Sequence, residues 1–139
     1  MKDQDKSFSG EIEPSWTEAH DLALIYLSCM HGTDDQIDPT EMDAARVLIA
    51  RHLEVDDEAR VSRVIDDALL MYVGDSGEEM LVASVLSLGA TFDADQRIGV
   101  LRDLADLVAA DGMVYPSEIQ FIAQLAEQWD IKNFFSQHN

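Results

Sequence analysis

Asp34-Asp35-Gln36-Ile37-Asp38-Pro39-Thr40-Glu41 and Asp111-Gly112-Met113-Val114-Tyr115-Pro116-Ser117-Glu118 are one passage written twice, 77 residues apart. Each copy leaves an apolar helical stretch and leads into another. The register that sets Asp34 against Asp111 and Glu41 against Glu118 also sets Ile37 against Val114, Pro39 against Pro116 and Thr40 against Ser117. Farther out it pairs Leu27 with Leu104 and Leu48 with Leu125, so the repeated unit is a helix-loop-helix. In each unit an Asp leaves the first helix and a Glu opens the second. Packing of the two units about a pseudo-twofold axis would bring four carboxylates together, and that convergence is the candidate functional site.

The surrounding sequence reads as helix throughout. Asp38-Pro39-Thr40-Glu41 supplies an Asp cap, Pro in the first turn and Glu at the third position, which starts a helix running from Met42 to Leu53. Ser15-Trp16-Thr17-Glu18 is a capping box for a helix to about Met30, with Trp16, Ala19, Leu22, Ala23 and Tyr26 spaced for one packed face. A third helix is expected over about Asp57 to Tyr72, with Val61, Val64, Ile65, Ala68 and Leu69 inward. Gly74-Asp75-Ser76-Gly77 interrupts it, and helix resumes over Glu78 to Leu88 with Met80, Leu81, Val85 and Leu86 as the apolar set.

Asp93-Ala94-Asp95-Gln96 is a second box, with Gln in the acidic partner's place, ahead of Ile98, Leu101, Leu104, Ala105 and Val108. Glu118 to Trp129 supplies Ile119, Ile122, Leu125 and Ala126, and a short turn of helix is expected over Ile131 to Phe135. No alternating β-branched segment competes with these helices. The expected fold is therefore all-α, a compact bundle of about seven helices containing the pseudo-duplicated helix-loop-helix unit. Residues 1–14 are expected to be a flexible leader, 15–135 a single helical domain and 136–139 a frayed tail. A chain of 139 residues suits one core, because that length buries roughly two-thirds of its unfolded surface.

The formal charge is −19, from 28 acids against nine Lys and Arg. Such a surface repels phosphate and disfavours a nucleic-acid partner; cations and basic proteins are the partners it suits. The acidity has two readings: a solvated, self-repelling surface of the kind a salt-rich cytoplasm screens, or a charge concentrated by a site. Cys29, the single cysteine, cannot form an intrachain disulfide, and its apolar run Leu22 to Met30 favours a buried side chain. The polar start lacks the apolar core of a signal peptide and no run reaches membrane-spanning length, so cytoplasmic residence is expected.

The first acidic copy offers oxygen ligands from Asp34, Asp38 and Glu41, with Asp35 adjacent. Carboxylates with carbonyls and water suit Ca²⁺, and a tighter cluster takes Mg²⁺, Mn²⁺ or Zn²⁺. An EF-hand is excluded, because the twelfth loop position is Ala45 in one copy and Ile122 in the other. Gly112 and Tyr115 replace Asp35 and Asp38 in the second copy. The expected site is thus asymmetric, with Asp34, Asp38 and Glu41 giving most ligands and Asp111 or Glu118 closing it. The competing reading makes Glu41 and Glu118 first-turn caps, Asp34 and Asp111 turn residues and Asp38 an N-cap.

His31 beside the first copy is a possible nitrogen ligand, though a helix C-terminus also suits a His. His20, His52 and His138 form no metal pair with it and no nucleophile-base arrangement. No phosphate-cradling Gly-rich loop occurs, and catalysis by a hydrolytic metal is the minor alternative. Tyr72, Tyr115, Trp129, Phe134 and Phe135 offer either an aromatic contact surface or, for Trp129 at helical spacing, core.

The paired Asp-x-x-Ile/Val-x-Pro-x-Glu segments between apolar helices, and above all Leu104-Ala105-Asp106-Leu107-Val108-Ala109-Ala110-Asp111-Gly112 followed by Pro116-Ser117-Glu118, resemble the TerB family. That tellurite-resistance-associated domain is also similar to the N-terminal region of DjlA-type membrane chaperone partners. The resemblance covers about residues 15 to 130. It implies a bundle of about seven helices and an acidic, divalent-cation-binding surface in a membrane-linked stress system, with no settled reaction. Carried over residue by residue, the family's loop Asp and first-turn Glu fall on Asp34 and Glu41 in one half and on Asp111 and Glu118 in the other. Asp35 departs from the family's usual Gly, and Tyr115 supplies no carboxylate, which argues against a symmetric two-ion site.

Overall fold

Twelve consecutive residues from Ala19 to Met30 are buried apart from Ser28, which is only partly covered. A helix apolar on every side must be wrapped by others, and that is the organising fact of the fold. The computed structural model describes residues 16–30, 39–53, 57–110, 112, 114–132 and 134. These form six helices and no strand: α1 (Glu18–Met30), α2 (Pro39–Leu53), α3 (Glu58–Val73), α4 (Gly77–Thr91), α5 (Ala94–Val108) and α6 (Pro116–Gln128). Helix α1 is the axis and packs against all five others. The single packed face expected for it is therefore a full circumference, with Leu24, Ile25 and Leu27 as inaccessible as Leu22 and Tyr26.

The helix ends follow from local chemistry. Asp57 caps α3 through Oδ1, which accepts the N–H groups of Ala59 at 3.0 Å and Arg60 at 3.4 Å. Asp93 and Gln96 form the expected box on α5: Asp93 Oδ1 accepts Gln96 N–H at 2.8 Å, and Gln96 Oε1 accepts Asp93 N–H at 2.9 Å. Helix α6 closes with Ile131 N–H on the Ala126 carbonyl at 2.8 Å and Asp130 N–H on Glu127 at 3.1 Å, with Asp130 left-handed at φ 60°. Arg97 fastens two helix C-termini, donating to Gly89 O at 2.8 Å, Phe92 O at 3.0 Å and Trp129 O at 3.4 Å. A guanidinium there also meets the negative ends of both helix dipoles.

Several expectations are corrected at this level. Helix α1 starts at Glu18, with the Thr17 carbonyl accepting Asp21 N–H at 3.1 Å. The Thr17 N–H goes to His20 Nδ1 at 3.0 Å, and Ser15, the expected cap, lies outside the described residues. The buried positions of α4 are Gly77, Ser84 and Leu88, whereas Leu86 stands 56 % exposed. Ser84 belongs inside because its hydroxyl donates to Asp21 Oδ1 at 2.7 Å on the axial helix. Ile119 is likewise exposed rather than core.

Trp129 is core, 3 % exposed, its indole N–H donating to Val85 O at 2.9 Å. It lies so close to α4 that a Cβ on Gly89 would sit 3.1 Å from its ring. Trp129 and Phe134 are both buried and contribute to no aromatic contact surface, while Phe135 lies outside the described residues. Of the short turn expected over 131–135, residues 131, 132 and 134 are described and are not helical. The leader 1–14 and tail 136–139 fall outside the described residues. No helix among those described is long and apolar enough to cross a membrane.

Candidate functional site

Helices α2 and α6 begin alike. Pro39 and Pro116 are their first residues, and Glu41 and Glu118 each occupy the third position. Pro is suited to that place, since its missing N–H has no helical partner to lose. Both glutamates are buried, 4 % and 1 % exposed, which is unusual for a carboxylate. Below them the inward faces also agree: Ala45 and Ile122 are inaccessible, and Ile49 and Ala126 are buried one turn farther on.

Glu118 Oε1 accepts the N–H of Tyr115 at 2.9 Å, the reciprocal half of a capping box whose first member here is Tyr rather than Asp. The chain approaches this turn through Gly112, which is left-handed at φ 83°. A Cβ at Gly112 would meet nothing within 4 Å, so the restriction there is one of backbone conformation alone. Asp35 occupies the matching position of the first copy, and Asp is among the few side chains that tolerate such a conformation.

Cys29 lies near the end of α1 and is buried. Its thiol is pushed up out of the ordinary range by burial first and then by the negative charges of Glu118 and Glu41. Both carboxylates thus act on one buried point of the axial helix. The thiol itself is a protonated core group without nucleophilic character.

Asp34, Asp38 and Asp111, along with Asp35 and His31, lie outside the described residues. Among the described residues no group of three or more His, Cys, Asp or Glu side chains is placed to hold a metal ion. The remaining described histidines are committed elsewhere. His52 Nε2 lies 3.0 Å from Glu18, and its ring packs on Phe92.

His20 is held at the other end of α1. Its Nδ1 accepts the Thr17 N–H, which leaves the proton on Nε2, 3.0 Å from Asp67 Oδ2. Asp21 accepts from Trp16 Nε1 at 2.8 Å as well as from Ser84. This polar cluster went unread in the sequence, where the available signal was an Asp and a His inside an otherwise apolar run. It satisfies its own members and positions α1 against α3 and α4.

Two further groups are perturbed. Tyr26 is pushed up by burial and by the Asp103 charge, against the effect of Arg51. Asp103 is raised by its own burial despite Arg51, whose guanidinium lies 3.6 Å away. The family described as tellurite resistance protein TerB matches residues 21–134. The chain belongs to the TerB family. No curated protein and no solved structure matches it significantly. The matched span runs from Asp21 in α1 past the end of α6, and so takes in both turns that carry the buried glutamates of this TerB domain.

Proposed function

We propose that this TerB domain is a non-catalytic divalent-cation-binding module. Its ligands are Asp34, Asp38 and Glu41 from one helix-loop-helix unit, with Asp111 and Glu118 closing the site from the pseudo-duplicated partner unit. The observation that carries the reading is the burial of two first-turn glutamates, 77 residues apart, whose charges both reach the Cys29 thiol. A cation supplied to buried carboxylates of the two units would offset the cost of burying their charge. An all-oxygen ligand set suits Ca²⁺ first, with Mg²⁺, Mn²⁺ or Zn²⁺ as alternatives. Tellurite is an anion, so cation handling is the electrostatically reasonable role for such a site in a tellurite- or stress-resistance system of the cytoplasm.

The test is calorimetric titration of metal-free protein with each of the four ions, alongside amide shifts. Saturable binding with changes confined to residues 34–41 and 111–118, weakened by Asp34→Asn with Glu41→Gln, is expected. Absence of saturable binding by all four ions would sink the reading. A second reading is favoured by one contact, the Tyr115 N–H on Glu118 Oε1, which is what a purely capping carboxylate makes. On that reading the domain is an acidic module that recruits a basic or membrane-associated stress partner. Recovery of a specific partner from cells with and without chelator supports it; failure to recover any partner in either condition counts against it.

A further inference from the structure

Helix α4 is apolar on two sides. Leu88 faces the axial helix with Ser84, while Val82 and Leu86 stand 59 % and 56 % exposed on the outer side. Together with Leu81 and Val85 they form one wall of a groove of about 240 Å³, and Phe121 and Leu125 of α6 form the other. The walls are rigid because the ends of both helices are pinned by Arg97 and by the Trp129 indole on Val85 O.

We infer that this α4/α6 groove docks a cationic amphipathic helix of a partner protein. The inference rests on the protein-interaction reading above and is independent of cation binding. Three observations select the occupant. The two wall helices carry Glu78, Glu79, Glu118 and Glu127 and contain no Lys or Arg. Glu78 and Glu79 are exposed in the turn before Val82, so they flank the mouth of the groove with negative charge. The whole chain carries −19, which sets a second copy and an anionic lipid surface alike against electrostatic repulsion.

Length gives the remaining constraint. Positions 81 to 86 and 121 to 125 span roughly 6–8 Å of helix axis, a run of about one to two turns. That admits apolar anchors at i and i+3 or i+4 from an incoming helix, with Lys or Arg on its flanks to meet the glutamates.

The probe is a labelled peptide of about 14 residues in which Leu and Lys alternate at the helical period, read by fluorescence anisotropy in chelator. A peptide of the same composition in scrambled order is the control for charge alone. The patterned peptide is expected to bind saturably, and more weakly as salt rises. Scrambling, or Val82→Lys with Leu86→Lys in the protein, is expected to weaken binding by at least about tenfold. Val47→Lys, on the exposed side of α2, leaves it unchanged. Amide shifts induced in the unmutated protein should fall on residues 81–86 and 121–128, a readout that stands even where the double variant misfolds.

Equal binding of the scrambled peptide, shifts elsewhere, or a folded double variant that binds like the parent would each overturn the inference. Recruitment to phosphatidylcholine-phosphatidylglycerol vesicles that is lost in the double variant would assign the groove to a membrane instead. A dimer in sedimentation equilibrium that is lost in the same variant would assign it to a second copy. A cellular partner captured equally well by the double variant would leave the interaction reading standing and remove the groove from it.

Discussion

Replacing Glu118 in two ways separates a capping carboxylate from a cation ligand. The side chain is 1 % exposed and its Oε1 accepts the Tyr115 N–H at 2.9 Å. Gln keeps a carbonyl oxygen of the same reach and removes only the charge. Ala removes both and leaves the partly buried Tyr115 N–H without its acceptor, a loss of about 1–2 kcal/mol. For a domain of this size each kcal/mol moves the melting temperature by roughly 3–5 °C. In chelator, Glu118→Ala should therefore melt about 3–10 °C below the parent, with Glu118→Gln less than half as far displaced.

The cation reverses the ranking of the two variants' information. A ligand held at a hundred times its dissociation constant stabilises the folded state by about 2.7 kcal/mol, which is roughly 8–13 °C here. Both variants should lose most of that gain, Gln included, because an amide oxygen supplies no charge. Differential scanning calorimetry with Ca²⁺ titrated into metal-free protein reads both effects. If Glu118→Gln keeps the full cation gain, Glu118 is a cap and nothing more. If Glu118→Ala matches the parent in chelator, the capping argument itself is wrong.

Glycines give a paired test of the packing: Gly77→Ala would place a Cβ 2.8 Å from Tyr72 O and 3.0 Å from Met71 O, and should cost about 1–3 kcal/mol in urea unfolding. Gly99→Ala meets nothing within 4 Å in the middle of α5, and should stabilise by about 0.5–1 kcal/mol. Asp130→Gly relieves the left-handed residue after α6 and should stabilise by up to about 1 kcal/mol, read the same way. Cys29 and Tyr26 are both raised above their ordinary values of 9.0 and 10.0, so the folded state keeps protons that the unfolded chain releases. Their stabilisation is full below pH 9 and is lost as pH rises, at up to about 1.4 kcal/mol per pH unit per group. Unfolding free energies should fall by roughly 2–3 kcal/mol between pH 8 and 10.5, less steeply in Cys29→Ala; a flat profile would contradict the burial of both groups.

What the sequence made legible was what short-range chemistry decides. Pro39 and Pro116 do open helices, and the Asp93-Gln96 box forms as read, because each needs only neighbours within one turn. The burial of Ser84 was not legible, since its reason is Asp21, 63 residues away on another helix. Local pattern placed Leu86 with the core set of α4, but α1 takes the Ser84 and Leu88 side and Leu86 is left facing the groove. At the start of α1 the Thr17 N–H goes to His20, which also reaches Asp67 on α3, a partner no local pattern marks. The place of Glu41 and Glu118 in the first turns of α2 and α6 was readable from the repeat, whereas their burial was not, because it depends on how α2 and α6 lean on the axial helix.

The charge of −19 acts in two places under different physics. Asp57, Glu58, Asp66, Asp75, Glu78, Glu79, Asp95, Asp106 and Glu127 are exposed, and their mutual repulsion is screened over about 8 Å at physiological ionic strength. A salt-rich surrounding would relieve it whatever the cation. Buried carboxylates are screened far less, and each needs a partner of its own. Asp21 has Trp16 and Ser84, which accounts for its place in the core as structure. Glu118 accepts the Tyr115 N–H, and Glu41 is buried at the matching position of α2. Adaptation of a surface to salt explains many exposed acids but gives no reason to bury two glutamates at matching helix starts. The capping role of a first-turn glutamate accounts for the contact that Glu118 makes, and the proposed cation would have to draw its further oxygens from the residues that precede both helices.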